Sequence, residues 1–507
     1  MTGGARYLAA DRGQLRWDLV DLESQIALDH RVRVVWSFVE SLDLSALYAA
    51  IGSRQGGAGR PPADPRIFLA LWLFATLEGV GSARHVARLC VRDAAYRWIC
   101  GGVEMNHHSL SDFRFVHASV LDGLLTESLT ALVAEGMVDI TEVAIDGTKV
   151  RASAGKGSFS GPERLNRLEE RMAVRVARLK EETEADPSGS ERRRRAAQLR
   201  GAEDVARRAT AARATLERLR AEKLERAKTH QTAEAKKGEP RVSVTDTEAR
   251  MMRFSDGAVR AGYNIQLAVT PGTGFIVAAE TTDRRNDAGL VQDMVSQVES
   301  RLGAAPERVL ADTTYATRDD IVDLGQRDID VYTPVPADKT EIKAENQRRR
   351  EQRREQEADE LKAWRARMAS DEGAAIYQHR TWVETINGIL KGRGLGVMTV
   401  RSKAKVACVV LLQVLAHNLW RAHLLAQPAG DGRRRRPRLR GKIRRQRRSG
   451  PQNDHPGGLK TPQSATDQPG WPDPAQHPAR PGITTSTAQI QPVAASGAIL
   501  SQPRKRV

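Results

Sequence analysis

Residues 142–151, EVAIDGTKVR, constrain the fold more than any other stretch of the chain. Up to about residue 135 the apolar side chains recur with the period of a helix. Here they alternate with period two, β-branched and apolar around a single acid, Asp146. An acid inside an apolar strand is costly unless it is paired or binds a cation. The segment therefore calls for a sheet and for a partner to Asp146. RVLADTTYAT repeats the theme as a buried strand with Asp312 near its C-terminal end. VSVTDTEARMMRF, GYNIQLAVT, FIVAAETT and IDVYTPVP supply further strands. DAGLVQDMVSQVESRLG and TRDDIVDLGQRD read as helices, the second capped by Thr317. Together they describe a mixed α/β sheet with helices on its faces.

A third acid comes from YQHRTWVETINGILK, residues 377–391. At about 100° per residue, Tyr377, Arg380, Glu384 and Lys391 fall within an arc of roughly 60°. Trp382, Val383, Ile386, Ile389 and Leu390 take the opposite, apolar arc, and Gly388 leaves room on the polar side. If the strands of Asp146 and Asp312 are neighbours and this helix packs at their edge, three carboxylates converge. Hard divalent cations favour such oxygens, and Mg²⁺ keeps positions open for water and phosphate. Two ions about 4 Å apart serve an in-line phosphoryl displacement. Arg380 and Lys391 would hold phosphates, and Tyr377 would stack on an end nucleotide. Asp246, Asp283, Asp287 and Asp319 compete for these roles. Asp283 and Asp287 sit in the polar turn TTDRRND and read as solvated, whereas Asp246 stays open as a metal neighbour.

Residues 1–135 read as a helical domain. GRPPADPRIFLALWLFATLEG gives an apolar helix ending at Gly79, and SARHVARLC a second, capped by Ser82. VRDAAYRWICGG gives a third, and one long helix follows from Ser109, with Asp112 at capping-box spacing. Short helices joined by tight turns, with Arg84, Arg88, Arg92 and Arg97 nearby, suit a helix-turn-helix DNA module, the plain alternative being a helical bundle. Cys90, Cys100, His107 and His108 fit no zinc-ligand spacing. Within a domain spanning 136–426, two insertions are expected. The first, at about 161–235, repeats apolar residues at 165, 168, 172, 176 and 179 and returns through Leu199, Val205, Leu216, Leu219 and Leu224 as a helical hairpin. It reads as a contact arm or a dimerising coiled coil. The second, at about 338–372, is charge-dense and reads as a solvated helix. KAKVACVVLLQVLAHNLWRAHLL closes the domain as a buried helix.

Charge bears on partners. The net charge is +17, and residues 427–507 hold sixteen Lys/Arg against four Asp, +12 of that total, which leaves +5 for residues 1–426. That tail, with RRRRPRLRGKIRRQRR, is rich in Pro, Gly, Gln and Ser and reads as disordered and able to add nonspecific phosphate affinity. The three cysteines, Cys90, Cys100 and Cys408, suit a reducing compartment. No run reads as apolar for long enough to span a bilayer, and the expected location is the cytoplasm, on the nucleoid.

From about residue 20 to 425 the chain resembles the DDE transposases of bacterial insertion sequences. Tyr377, Arg380, Glu384 and Lys391 match the Tyr-x2-Arg-x3-Glu-x6-Lys signature at every position. IDGTKVRA resembles the first-aspartate strand and VLADTTY the second. TDTEARMMR and GYNIQLAV resemble the stretch between them, and GRPPADPRIFLALWLF…SLSDFR the N-terminal domain. The resemblance implies an RNase H-like core with Asp146, Asp312 and Glu384 as catalytic metal ligands. It also implies Tyr377, Arg380 and Lys391 on the DNA end, and two Mg²⁺ ions with Mn²⁺ as a substitute. Terminal inverted repeats and target DNA become the partners, and a homodimer the synaptic unit. The rivals are an RNase H-like nuclease that cuts without joining and a DNA-binding protein that has lost catalysis.

Overall fold

The computed structural model describes residues 21–52, 61–185, 189–229, 238–336, 354 and 356–427. Beyond Gln427, the basic tail lies outside the described residues, as do 338–353 and 355 of the expected second insertion.

Seven helices come first: α1 (Arg31–Ser41), α2 (Ser45–Ala49), α3 (Pro65–Leu77), α4 (Ala83–Arg92), α5 (Ala94–Cys100), α6 (His107–Val116) and α7 (Ala118–Ala134). Asp64 caps α3 by accepting from the Arg66 N–H, and Pro65 occupies the first turn, where a missing N–H costs nothing. Gly79, at φ 74°, follows the helix end, as the sequence indicates. The single long helix expected from Ser109 is two helices, bent by 66° at His117. Asn106, not Ser109, caps the first by accepting from the His108 N–H. Ser82 stands at the start of α4 but makes no side-chain cap.

The sheet contains β1 (Glu142–Arg151), β4 (Arg250–Arg253), β5 (Val259–Val269), β6 (Ile276–Thr282), β7 (Arg308–Leu310) and β8 (Asp330–Tyr332). A separate ribbon pairs β2 (Phe159–Ser160) with β3 (Val242–Ser243). β1 is central: β5 pairs it antiparallel on one edge and β7 parallel on the other, with β8 parallel beyond β7. β6 and β4 divide the far edge of β5.

From the β2–β3 ribbon rises the expected hairpin, α8 (Pro162–Ala185) and α9 (Gly189–Thr229). Leu165, Met172 and Leu179 are buried at seven-residue spacing, as their pattern indicates. Their counterparts in α9 are chiefly alanines, Ala202, Ala209 and Ala212, with Leu216. Small residues let the two helices approach closely, and Leu224, counted on the seam from sequence, is exposed instead.

The remaining helices are α10 (Val291–Leu302), α11 (Arg318–Gly325), α12 (Asp359–Ala369), α13 (Asp371–Gln378), α14 (Thr381–Leu390) and α15 (Lys403–Ala426). Thr317 and Asp320 form a reciprocal capping box at α11. α12 departs from the solvated insertion expected at 338–372. Leu361 and Trp364 are buried, and the Trp364 indole N–H donates to the Thr333 carbonyl, so this helix covers β8. A two-residue apolar face among charges was too weak a periodic signal to show this.

By length and composition α15 could cross a membrane, contrary to the expectation that no run is long enough. It is instead a core helix. Val406, Leu412, Val414 and Leu415 are buried, and Asn418 both accepts from the Ile276 N–H and donates to the Ile276 carbonyl, completing the edge of β6. The N-terminal helices, the sheet and α15 share one hydrophobic core.

Candidate active site

β1 carries Asp146 in the middle of the sheet, opposite Leu267 of β5. Its side chain keeps 23% of its exposure. Burial, opposed by the Arg380 charge and reinforced by Asp287 and Glu384, pushes its pKa up to about 6.

α14 lies along β1 and is fixed at both ends. At its start, His379 Nδ1 meets Glu142 Oε1 at 2.8 Å, at the beginning of β1. Past its end, Arg151 donates its N–H to Gly396 and accepts from Met398 at the other end of β1. Val383, Ile386 and Leu390 are buried beneath it. This clamp sets Arg380, Glu384 and Asn387 over Asp146. Arg380 Nη2 is 3.1 Å from Glu384 Oε1, and its Nη1 is 3.9 Å from Asp146 Oδ1. Asn387 Nδ2 donates to Asp146 Oδ2 at 3.0 Å. Arg380 Nε donates to the Tyr377 hydroxyl at 3.2 Å. Burial opposes the Arg380 charge, but Tyr377 and the two acids outweigh it and raise its pKa. One guanidinium thus bridges acids 238 positions apart in sequence, from Asp146 to Glu384.

The stretch 377–391 is not one helix. α13 ends at Gln378 and α14 starts at Thr381, joined by a tight turn in which Arg380 N–H donates to the Tyr377 carbonyl. The turn keeps Tyr377 within reach of Arg380. Lys391 follows α14 and is exposed, as is Ile389, which the helical pattern had assigned to the buried arc. Gly388 is exposed, with no atom within 4 Å of where a Cβ would stand.

Asp312 sits two residues beyond β7. The parallel register ends with Ala144 opposite Leu310, so two further steps bring the chain to Asp146 and Asp312 side by side at the end of the ladder. Asp312 is exposed, and its Oδ1 accepts from the Thr313 N–H at 2.8 Å. Its carbonyl accepts from Thr333 and Tyr315, which fixes the backbone of this turn. Among the described residues no three His, Cys, Asp or Glu side chains stand together closely enough to hold a metal ion. Asp146 and Glu384 are joined through Arg380, whereas Asp312, beside Asp146 in backbone register, bonds its carboxylate to its own turn rather than to that pair.

Asp287 departs from the solvated turn residue expected of it. Its Oδ1 accepts from Asn264 at 2.6 Å and from Gln266 at 2.8 Å, both buried on β5. It lies against Gly147, where a Cβ would stand 2.1 Å from Oδ1. Gln266 faces Gly147 in the β5 register, so Asp287 supports β1 from the face opposite Asp146. Asn387 also was not singled out as a site residue. Its signal was its position three residues after Glu384, one turn along the same helix face. Asp246 is buried, receives the Tyr263 hydroxyl at 2.7 Å and the Ser402 N–H, and acts as a structural anchor. In α4 and α5, Arg84, Arg88, Arg92 and Arg97 are all exposed.

Residues 139–419, more than half of the chain, match the family of the transposase DDE domain. Residues 20–115 match a second family, described as a transposase domain. Comparison with curated proteins and with solved structures gave no match.

Proposed function

Since this chain belongs to the family of DDE-domain transposases, we propose that it is the transposase of an insertion sequence, which cleaves the element's ends and transfers them into target DNA. The observation that carries this reading is the desolvated Asp146 in the middle of the sheet, joined to Glu384 through Arg380. Members of this family use divalent metal ions. The donor set suits one: Asp146 is a carboxylate short of countercharge, and beside it the buried Asn387 Oδ1 has no hydrogen-bond partner. Asp146, Glu384 and Asp312 are the proposed ligands, for two Mg²⁺ ions with Mn²⁺ as the substitute. Bound there, the ions supply activation of a water or 3′-hydroxyl and stabilisation of the leaving oxygen.

The chain's own residues do the rest. Arg380, held by Tyr377, offers a planar fork to a phosphate oxygen. When it turns to the phosphate, both acids are released for the cations. Lys391 adds an exposed positive charge about three turns on, and the open surface at Gly388 lets a sugar-phosphate strand approach the helix. Tyr377 presents an aromatic face to the end nucleotide. Arg84, Arg88, Arg92 and Arg97 suit recognition of terminal inverted repeats in the helix-turn-helix manner. The resemblance to DDE transposases implies a homodimeric synaptic complex, and the reading places its action in the cytoplasm, on the nucleoid.

The test is to incubate purified protein, Mg²⁺ and a labelled duplex carrying the element's own end, beside a Glu384→Gln control. Nicking followed by joined products, both lost in the control, is expected. Cleavage without joining assigns a nuclease, and binding without cleavage in Mg²⁺ and Mn²⁺ assigns a DNA binder that has lost catalysis.

A further inference from the structure

At the base of the α8–α9 hairpin lies a cavity of about 450 Å³ that none of the candidate active-site residues lines. Its walls come from Gly157, Ser158 and Ser160 before the hairpin, Val244 and Thr245 after it, and the first three turns of α8. The α8 wall is basic. Arg164, Arg167 and Arg171, spaced three and four residues apart, line one face and are exposed. Arg175 continues the row beside a neighbouring depression, with Glu170 as the acid there.

These arginines differ from others on the hairpin. Arg178 pairs with Glu182, Arg207 and Arg208 with Asp204, Arg213 with Glu169, and Arg218 with Glu222 and Asp283. Among the described residues, no carboxylate pairs with Arg164, Arg167 or Arg171, and Arg167 Nε donates to the backbone carbonyl of Glu163. Glu169, the acid nearest in sequence on the inner side, is turned away to Arg213. Among the described residues the hairpin thus pairs much of its seam and leaves this row on α8 without a carboxylate, as it does Arg192, Arg193, Arg194 and Arg200 on α9. At 1.5 Å per residue, Arg164 to Arg175 spans roughly 16 Å, about five steps of duplex at 3.4 Å each.

We propose that Arg164, Arg167 and Arg171 form a cradle for the phosphate backbone of DNA, held by the hairpin outside the active site. The row is long enough for successive phosphates of one strand. The cavity walls opposite the arginines are Gly157, Ser158, Ser160, Val244 and Thr245, which offer hydroxyls to a sugar-phosphate but no side chain long enough to read a base edge. The proposal rests on the reading of this chain as a DNA-processing enzyme, and it assigns the inserted hairpin its partner.

The test uses the full chain and a fluorescently labelled duplex of arbitrary sequence, with affinity measured over a series of KCl concentrations. The triple variant Arg164→Gln/Arg167→Gln/Arg171→Gln is expected to bind at least tenfold more weakly at low salt. Its salt slope should fall by about 2.7, near 0.9 for each phosphate that is no longer neutralised. The basic tail contributes equally to parent and variant and cancels in the difference. The corresponding triple Lys variant keeps the charge and is expected to keep the slope. Arg167→Gln alone should lower it by about 0.9, which provides the reading should the triple variant fold poorly. An unchanged slope in the Gln variants overturns the proposal. So does loss of inorganic pyrophosphate binding with duplex binding intact, which would make the cavity a small-anion site. A chain that binds through the cradle yet never cleaves an element end sinks the transposition reading and leaves the cradle standing.

Discussion

Asp146 and Asp312 sit at neighbouring places in one sheet and live in different environments. Asp146 belongs to a ten-residue strand paired on both edges, under a helix clamped at both ends. Asp312 follows a three-residue strand and is exposed, bonded chiefly to its own turn. The difference teaches that the sheet fixes one acid by burial and the other by backbone alone. Asp146 is held by Arg380 and Asn387 from another element; the Asp312 carboxylate is held by the Thr313 N–H of its own turn. For activity the comparison should vanish: Asp146→Ala, Asp312→Ala and Glu384→Ala are each expected to lower end cleavage by at least a thousandfold, about 4 kcal/mol of transition-state stabilisation, with end binding nearly intact. Single-turnover cleavage on a labelled end measures it. Cleavage retained in Asp312→Ala would break the comparison outright, by leaving the exposed acid without a part in the reaction.

For stability the two acids should separate. Asp146 has a folded pKa of about 6, above the usual unfolded value near 3.9. The native state thus holds its proton to higher pH than the unfolded chain. Sign follows directly: the group costs nothing below about pH 4, stability falls as pH rises from there, and the loss levels off above pH 6 at about 3 kcal/mol. Asp146→Asn should therefore stabilise the metal-free protein by up to that amount at pH 7 and by little at pH 4. Asp312→Asn, an exposed change, should stay within about 0.5 kcal/mol at pH 7. Denaturant melts of both variants at the two pH values provide the check. A gain in Asp146→Asn that is the same at pH 4 and pH 7 would mean that the buried charge is not its source.

Much of this contrast was legible in the sequence. The period-two run around Asp146 located the central strand, and the spacing of Arg380 and Glu384 put both on one polar face. Helix and strand types followed from periodicity, and the cap at Thr317 from its residue type; the reciprocal bond from Asp320 emerged only in the fold. What was missed depended on residues distant in sequence. The turn at His379–Arg380 leaves no helix-breaking residue to read, because it is stabilised by His379 meeting Glu142, 237 positions away. α12 buries Leu361 and Trp364 through β8, which local charge density hid. Asp287 looked solvated beside Arg284, Arg285 and Asn286, and only the fold brings Asn264 and Gln266 to it. Alanines lining the α8–α9 seam gave too weak an apolar signal to mark it.

The finest test of the comparison lies one residue further along each strand. Gly147 follows Asp146, and any Cβ there meets Asp287 Oδ1 at 2.1 Å, held from behind by two buried amides that cannot retreat freely. Thr313 follows Asp312 and contributes its backbone N–H, which a substitution keeps. Gly147→Ala should therefore cost about 1–3 kcal/mol by overpacking, while Thr313→Ala stays within about 0.5 kcal/mol. Asp287→Ala removes the obstacle but strands the Asn264 and Gln266 amides, at a cost of about 1–3 kcal/mol. In the double variant Gly147→Ala/Asp287→Ala the clash is absent, so the costs should sum to less than the singles by about 1 kcal/mol or more. Strict additivity in a denaturation cycle would show that Asp287 does not seat against β1. The rigidity of Asp146 would then rest on α14 alone, and the two acids would differ by their helix rather than by their strand.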